Sequence, residues 1–254
     1  MKKQIIAVCG KGGVGKTAIT ALMTRALKGR ADTGRLLVVA ADPALGLFYA
    51  LGVETGKTIG AIRERVLDAA EAGGADRDEV AVELDYLILN ALNERPGYAC
   101  IAMGHMSGRG CFCSVNDLLR DSLAELVMKF DTILIDGEAG IEQINRQVVD
   151  KVDTLVLVSD SSRRGLQTVR QIKALVDDGS VPACEQLGVV INRVVGDARS
   201  REEIEAAAGL PVFGVIPYDP VLERYDAEAR PLLEMPAEAA SVQAVDAVIA
   251  RIRG

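Results

Sequence analysis

The sequence predicts a doubly wound α/β fold, a mostly parallel β-sheet with helices on both faces. Three observations lead there. Short apolar runs rich in Val, Ile and Leu recur along the 254 residues. They lack the alternation of a half-exposed strand, so both faces are buried, as in a parallel sheet. Helix-like stretches separate them, which is the strand–helix order of a doubly wound domain with right-handed crossovers. In chain order the runs at 4–8, 35–41, 85–91, 131–136, 153–160, 187–193 and 211–217 read as strands. Residues 16–28, 58–71, 114–129, 162–177, 200–208 and 239–252 read as helices. Residues 71–80, "EAGGADRDEV", read as a surface loop, and 93–113 as the longest stretch without periodicity, a length that points to a working loop.

Hydrophobic residues make up 49% of the chain, but aromatics only 4% and Trp is absent. The core is therefore built from Ala, Val, Leu and Ile, and residues 1–254 suit a single domain. A net charge of −7 argues against a nucleic-acid coat or a membrane-surface binder. No run approaches the roughly 18 apolar residues of a membrane span, and Ile5–Cys9 is too short for the apolar core of an export signal. The expectation is a cytoplasmic protein that binds neither nucleic acid nor membrane. The five cysteines then read as reduced thiols, some of them potential metal ligands.

The sharpest signal is "IIAVCGKGGVGKT". Gly10, Lys11, Gly12, Gly13, Val14, Gly15, Lys16 and Thr17 satisfy G-x-x-x-x-G-K-S/T between an expected strand and an expected helix, the context a phosphate loop requires. Its glycines let backbone N–H groups turn toward phosphate oxygens, and the helix N-terminus adds partial positive charge. Lys16 would reach the terminal phosphates and the Thr17 hydroxyl would ligate Mg²⁺. Gly10, Gly12 and Gly15 also satisfy the dinucleotide pattern G-x-G-x-x-G, which leaves Lys16 and Thr17 unexplained. "TILID" ends in Asp136, a carboxylate at a strand's C-terminal end suited to hold Mg²⁺ or its water; alone, it could equally cap a helix.

Lys11 is surplus to an ordinary phosphate loop. "KGGVGKT" resembles the deviant P-loop ATPases such as MinD, ParA and the nitrogenase iron protein. That resemblance implies a homodimer in which Lys11 reaches the partner's ATP or ADP and joins Lys16 and Asp42 in catalysis. Asp42 of "AADPALG" takes the place of the aspartate that orients the attacking water, although Asp-Pro is also a common turn starter. Many relatives carry another aspartate where this chain has Ala40. The resemblance also assigns nucleotide contacts to Ala18, Asn192 and Arg193, and to the backbone of Pro217, Tyr218 and Asp219.

"MGHMSGRGCFCSVNDLLR", with "DGEAGIEQINR" and "VSDSSRRGLQT", resembles one branch, the CooC and AcsF type ATPases that mature nickel carbon monoxide dehydrogenase and acetyl-CoA synthase. In that branch a histidine often stands where this chain has Gln143. Thiolates bind Zn²⁺, Ni²⁺ or Cu⁺. Cys111 and Cys113 supply two ligands, and two-fold symmetry would bring an identical pair opposite them. Metal held between subunits is weighed against redox thiols and simple packing. Cys9 and Cys184 read as buried small hydrophobes; Cys100 stays open, and His105 is an auxiliary nickel ligand or a solvated loop residue. The expectation is an ATP-hydrolysing metallochaperone for an apo nickel enzyme. The rivals are an iron–sulfur electron carrier like the nitrogenase iron protein and a MinD- or ParA-like positioning ATPase.

Overall fold

The computed structural model describes residues 3–71, 77–105, 113–137, 151–179, 184–196 and 200–254. Its centre is an eight-stranded sheet in the order β3-β4-β2-β5-β1-β6-β7-β8. The strands are β1 (Gln4–Gly10), β2 (Leu36–Ala40), β3 (Asn93–Arg95), β4 (Tyr98–Ala102), β5 (Thr132–Asp136), β6 (Val152–Ser159), β7 (Cys184–Val194) and β8 (Val212–Pro217). All neighbours are parallel except the β3–β4 hairpin at one edge. The expected mostly parallel, doubly wound sheet is therefore present.

Helices α1 (Lys16–Lys28), α2 (Gly46–Leu51) and α3 (Ile59–Glu71) come first, then α4 (Arg77–Ala91) and α5 (Cys113–Met128). After these come α6 (Arg163–Asp177), α7 (Arg201–Ala208), α8 (Pro220–Ala227) and α9 (Ala240–Arg253). Successive strand residues point to opposite faces. Ala7, Cys9, Leu37, Val39, Ile133 and Ile135 thus join one core with residues of α3 to α7. Ile6, Val8, Leu36, Val38 and Leu134 join the other with α1, α2 and α9. Among the described residues, no helix is long and apolar enough to cross a membrane.

Three expectations need correction. Residues 85–91 are helix, not strand, because they close α4. Leu84, Leu87, Ile88 and Ala91 are buried at helical spacing, while Val82, Tyr86 and Leu89 face outward. Residues 77–80, expected in a surface loop, open the same helix. The stretch from 93 holds the β3–β4 hairpin, turned at Gly97 with a φ of +86°, and β4 is a fully buried strand beside β2.

Candidate functional site

The order of the strands reverses around β1 and β5, so the C-terminal ends of β1, β2 and β5 open one crevice. β1 delivers the phosphate loop there. Gly10 adopts a φ of +148°, and a side chain on it would overlap the Val158 carbonyl oxygen of the adjacent strand, so only glycine fits. Gly13 and Gly15 adopt φ values of +80° and +90°. Gly15 stands at the cap of α1 and offers no side-chain acceptor, so the N–H groups of the first turn are suited to receive an anion. Lys16 folds back, its Nζ donating to the Lys11 carbonyl at 3.2 Å, and Lys11 itself is exposed.

Two residues at the end of β7 hold the loop from behind. Asn192, only 2% exposed, donates from Nδ2 to the Val14 carbonyl at 2.8 Å. Arg193, in the left-handed region at φ +57°, donates to the Gly13 carbonyl at 3.1 Å. With the carbonyls drawn outward, the loop N–H groups turn inward. Among the described residues, Asn192 Oδ1 is buried and meets no hydrogen-bond donor. Such an orphan acceptor beside a phosphate loop suits a ligand's N–H donor.

Asp136 ends β5 at 1% exposure. Its Oδ2 accepts from the Thr17 hydroxyl at 2.9 Å, and the Thr20 hydroxyl stands 3.0 Å from Oδ1. Burial pushes its carboxyl up to about 6, against the hydrogen bonds from Thr17 and Thr20 and the charge of Lys16; Asp42 pushes it further up. A hydroxyl and a carboxylate paired at the phosphate end of the sheet form a hard-oxygen donor set, the chemistry Mg²⁺ requires. Thr17, Asp136 and Lys16 are therefore brought together as expected from the sequence. Thr20 was not foreseen. Its signal is the recurrence of threonine at 17, 20 and 24, helical spacing that puts them on one side of α1, where Thr20 and Thr24 are fully buried.

Asp42 follows β2 in a turn, and its Oδ1 accepts from the Ala44 N–H at 2.8 Å. Its charge reaches Asp136, as the shift there records. Beyond the turn, Gly46 of α2 lies against Thr17, and a cavity of about 340 Å³ opens between Gly15, Thr17, Ala18, Tyr49, Arg193 and Arg230.

Pro217 closes β8, and the Tyr218 N–H donates to the Val194 carbonyl at 2.8 Å. The Tyr218 hydroxyl bonds Glu223, which raises its pKa. Asp219 caps α8 through the Val221 N–H at 2.9 Å. Its other oxygen accepts from Ser241 N–H at 2.9 Å and Ser241 Oγ at 2.7 Å. Its side chain is thus a structural tie between α8 and α9, which leaves only its backbone for the ligand contact expected there.

The cysteines divide. Cys9 and Cys100 are fully buried, and burial pushes both thiols up to about 12, so they are inert core residues. Cys184 is only half-buried, less than expected. His105 is exposed. Cys111 lies outside the described residues, as does Gln143, and Cys113 is described as the first residue of α5. Among the described residues, no group of three or more His, Cys, Asp or Glu side chains is arranged to hold a metal ion.

The model of the CobQ/CobB/MinD/ParA nucleotide binding domain matches residues 5–232. An uncharacterized ATP-binding protein of Methanocaldococcus jannaschii is 38% identical over 91% of both chains. The carbon monoxide dehydrogenase accessory protein CooC of Rhodospirillum rubrum is 32% identical, covering 87% of this chain and 86% of its own. Among solved structures, the MinD cell division protein of Aquifex aeolicus superposes with a TM-score of 0.71 at 21% identity, covering 99% of this chain and 97% of its own. MinD of Pyrococcus horikoshii, complexed with Mg-ADP, gives 0.69 at 20% identity, covering 98% and 96%. With a phosphate loop, a Thr17–Asp136 pair and a family match over most of its length, this chain belongs to the CobQ/CobB/MinD/ParA nucleotide binding domain family.

Proposed function

We propose that this protein is an ATP-hydrolysing metallochaperone. In this reading it dimerises with nucleotide, carries Ni²⁺ or Zn²⁺ on Cys111 and Cys113 of both subunits, and assists nickel insertion into an apo carbon monoxide dehydrogenase or acetyl-CoA synthase. The observation that carries it is the 32% identity to CooC over 87% of the chain. The Cys-x-Cys segment, which ends at the first residue of α5, adds support. A helix N-terminus is a place where thiolates are stabilised.

The chemistry assigned to the chain is a water-driven cleavage of ATP to ADP and phosphate. The first-turn N–H groups of α1 and the Lys16 ammonium stabilise phosphate charge, which is the main protein contribution to phosphoryl transfer. Thr17 and Asp136 would hold Mg²⁺, which would help neutralise the negative charge of the terminal phosphates. Asp42 orients the attacking water. Lys11, exposed at the loop, reaches the nucleotide of the second subunit. Asn192 Oδ1 accepts from the purine amino group.

The test is metal content per dimer of full-length protein with no nucleotide, with ADP and with ATP. One Ni²⁺ or Zn²⁺ per dimer, lost in Cys111→Ser/Cys113→Ser, is the expected result; unchanged metal content and client activation in that variant would overturn the metal assignment. Lys16→Ala with wild-type turnover would remove the catalytic assignment. Lys11→Ala with intact nucleotide-dependent dimerisation and turnover would remove the role across the interface.

A further inference from the structure

Helix α4 is apolar on two sides. Leu84, Leu87, Ile88 and Ala91 are buried in the core that α4 shares with α3 and α5. On the opposite side Val82, Tyr86 and Leu89 stand 72%, 66% and 50% exposed. Spacings of four and three residues align them in one stripe along the helix. Single exposed apolar residues are ordinary on a protein surface, but a contiguous stripe of large ones marks an interaction site. Helix formation does not account for them, because Val and Tyr rank below Ala, Glu and Lys as helix formers.

The stripe belongs to a three-helix platform tied by polar side chains. Arg65 of α3 pairs with Glu83 of α4 at 3.0 Å, and Arg63 Nε of α3 donates to Asn116 Oδ1 of α5 at 2.8 Å. The helical repeat puts Asp85 on one flank of the stripe and Glu83 on the other. On the neighbouring α5, Asp117, Asp121 and Glu125 are exposed at one-turn intervals, on the side away from its buried leucines. Among the described side chains of α4 and α5, Arg120 is the one exposed basic residue beside these five acids. The surroundings of the stripe are therefore acidic. A second copy of this chain would set those acids against themselves, and a nucleic acid or an anionic membrane would meet the same repulsion. A basic partner surface would be attracted.

We propose that the Val82–Tyr86–Leu89 face of α4 docks a partner protein through an apolar segment rimmed by lysine and arginine. The three side chains have the i, i+4, i+7 spacing with which a helix engages a facing apolar surface. Their burial supplies the affinity, with Tyr86 as the central anchor, and the acidic rim steers and selects the partner. None of these residues belongs to the phosphate loop, the Thr17–Asp136 pair or the Asp42 turn, so the face can be altered without touching nucleotide chemistry.

The experiment titrates the full-length protein with three labelled peptides. One is a helix with a leucine stripe rimmed by lysine and arginine, one has the same stripe rimmed by glutamate, and one is oligolysine. The first should bind, the other two should not, and added salt should weaken the first. Tyr86→Gln and Leu89→Gln remove apolar surface but keep a good helix former. Each should weaken the basic peptide about 10-fold, with ATP turnover and urea midpoint held at wild type. Asp85→Lys/Asp121→Lys should weaken it about 10-fold as well and admit the glutamate-rimmed peptide. The proposal is overturned if no peptide binds, if oligolysine or the acidic peptide binds as well as the basic one, or if the glutamine variants bind like wild type. Self-association without nucleotide that Tyr86→Gln/Leu89→Gln abolishes would assign the face to a second copy and overturn the proposal. Binding to phosphatidylglycerol vesicles that the same variant abolishes would assign it to a membrane and do likewise.

Discussion

The hydroxyl of Thr20 lies 3.0 Å from Asp136 Oδ1, across the sheet–helix boundary and fully buried. The same hydroxyl is 3.0 Å from the Lys16 carbonyl and has one proton to share between them. Asp136 thus receives one hydroxyl on each oxygen, Thr17 on the side of the phosphate loop and Thr20 behind it. Thr20→Val should leave a buried carboxylate oxygen without its donor and cost about 1–3 kcal/mol. Thr20→Ser should cost less, because it keeps the hydroxyl. Urea unfolding checks the stability, and Mg²⁺-dependent ADP binding checks the orientation of the carboxylate. Equal stability of the valine and serine variants would mean that the Thr20–Asp136 bond has no net worth.

Asp136 gives a pH dependence of definite sign. Its carboxyl is raised from 3.8 to about 6 by burial, so without nucleotide the folded state binds its proton more tightly than the unfolded state. That contribution is fully present below about pH 4 and lost as pH rises through 6. At about 1.4 kcal/mol per pH unit, the cost above pH 7 is on the order of 2–3 kcal/mol. Asp136→Asn removes the titration. In nucleotide-free protein the stability of the variant relative to wild type should therefore rise between pH 4 and pH 7 and flatten above. Urea midpoints across that range read the slope; a difference independent of pH would contradict the assignment. Mg²⁺-dependent nucleotide binding should be lost in the same variant.

Asn192 and Gly15 should prove energetically coupled. A Cβ on Gly15 would stand 2.5 Å from Asn192 Nδ2, the atom that holds the Val14 carbonyl. Asn192→Ala should destabilise by about 1–3 kcal/mol through the unpaired carbonyl, and should weaken ATP binding. Gly15→Ala should also weaken binding, both through that contact and through its φ of +90°. In the double variant the steric part is gone, so the combined loss should be smaller than the sum of the single losses. Additive losses in a calorimetric titration with ATP would show the two residues acting independently.

Much of this site is written locally, which is why it was legible. The loop from Gly10 to Thr17 carries its own conformation in its glycines, and Asp136 follows a continuous apolar strand. What was missed depends on tertiary context. "YLILNA" is a short apolar run, and such a run fits a buried strand as well as the inner turn of a helix. Only the packing of Leu84, Leu87, Ile88 and Ala91 against α3 and α5 makes it α4. β4 was hidden for the opposite reason. "YACIA" has little bulk, and a Pro-Gly turn precedes it, yet its place beside β2 buries all five residues. Thr20 and Arg63 are ordinary helix residues until the partner, Asp136 or Asn116, is folded against them.

Asp219 offers a last test, of architecture near the site. Burial pushes its carboxyl up, but hydrogen bonds from Ser241, Val221 and Leu222 outweigh that and hold it below the usual value. Its stabilising contribution is therefore present above about pH 4 and lost as pH falls below that. Asp219→Ala removes an N-cap worth about 1 kcal/mol. It also removes two charge-assisted bonds to Ser241, so the total loss should be about 3 kcal/mol. Ser241→Ala keeps the cap and the backbone bond and should lose about 1 kcal/mol. The ordering of these two variants in urea unfolding at pH 7 is the measurement. If Ser241→Ala were as damaging as Asp219→Ala, the hydroxyl bond and not the cap would hold α8 to α9.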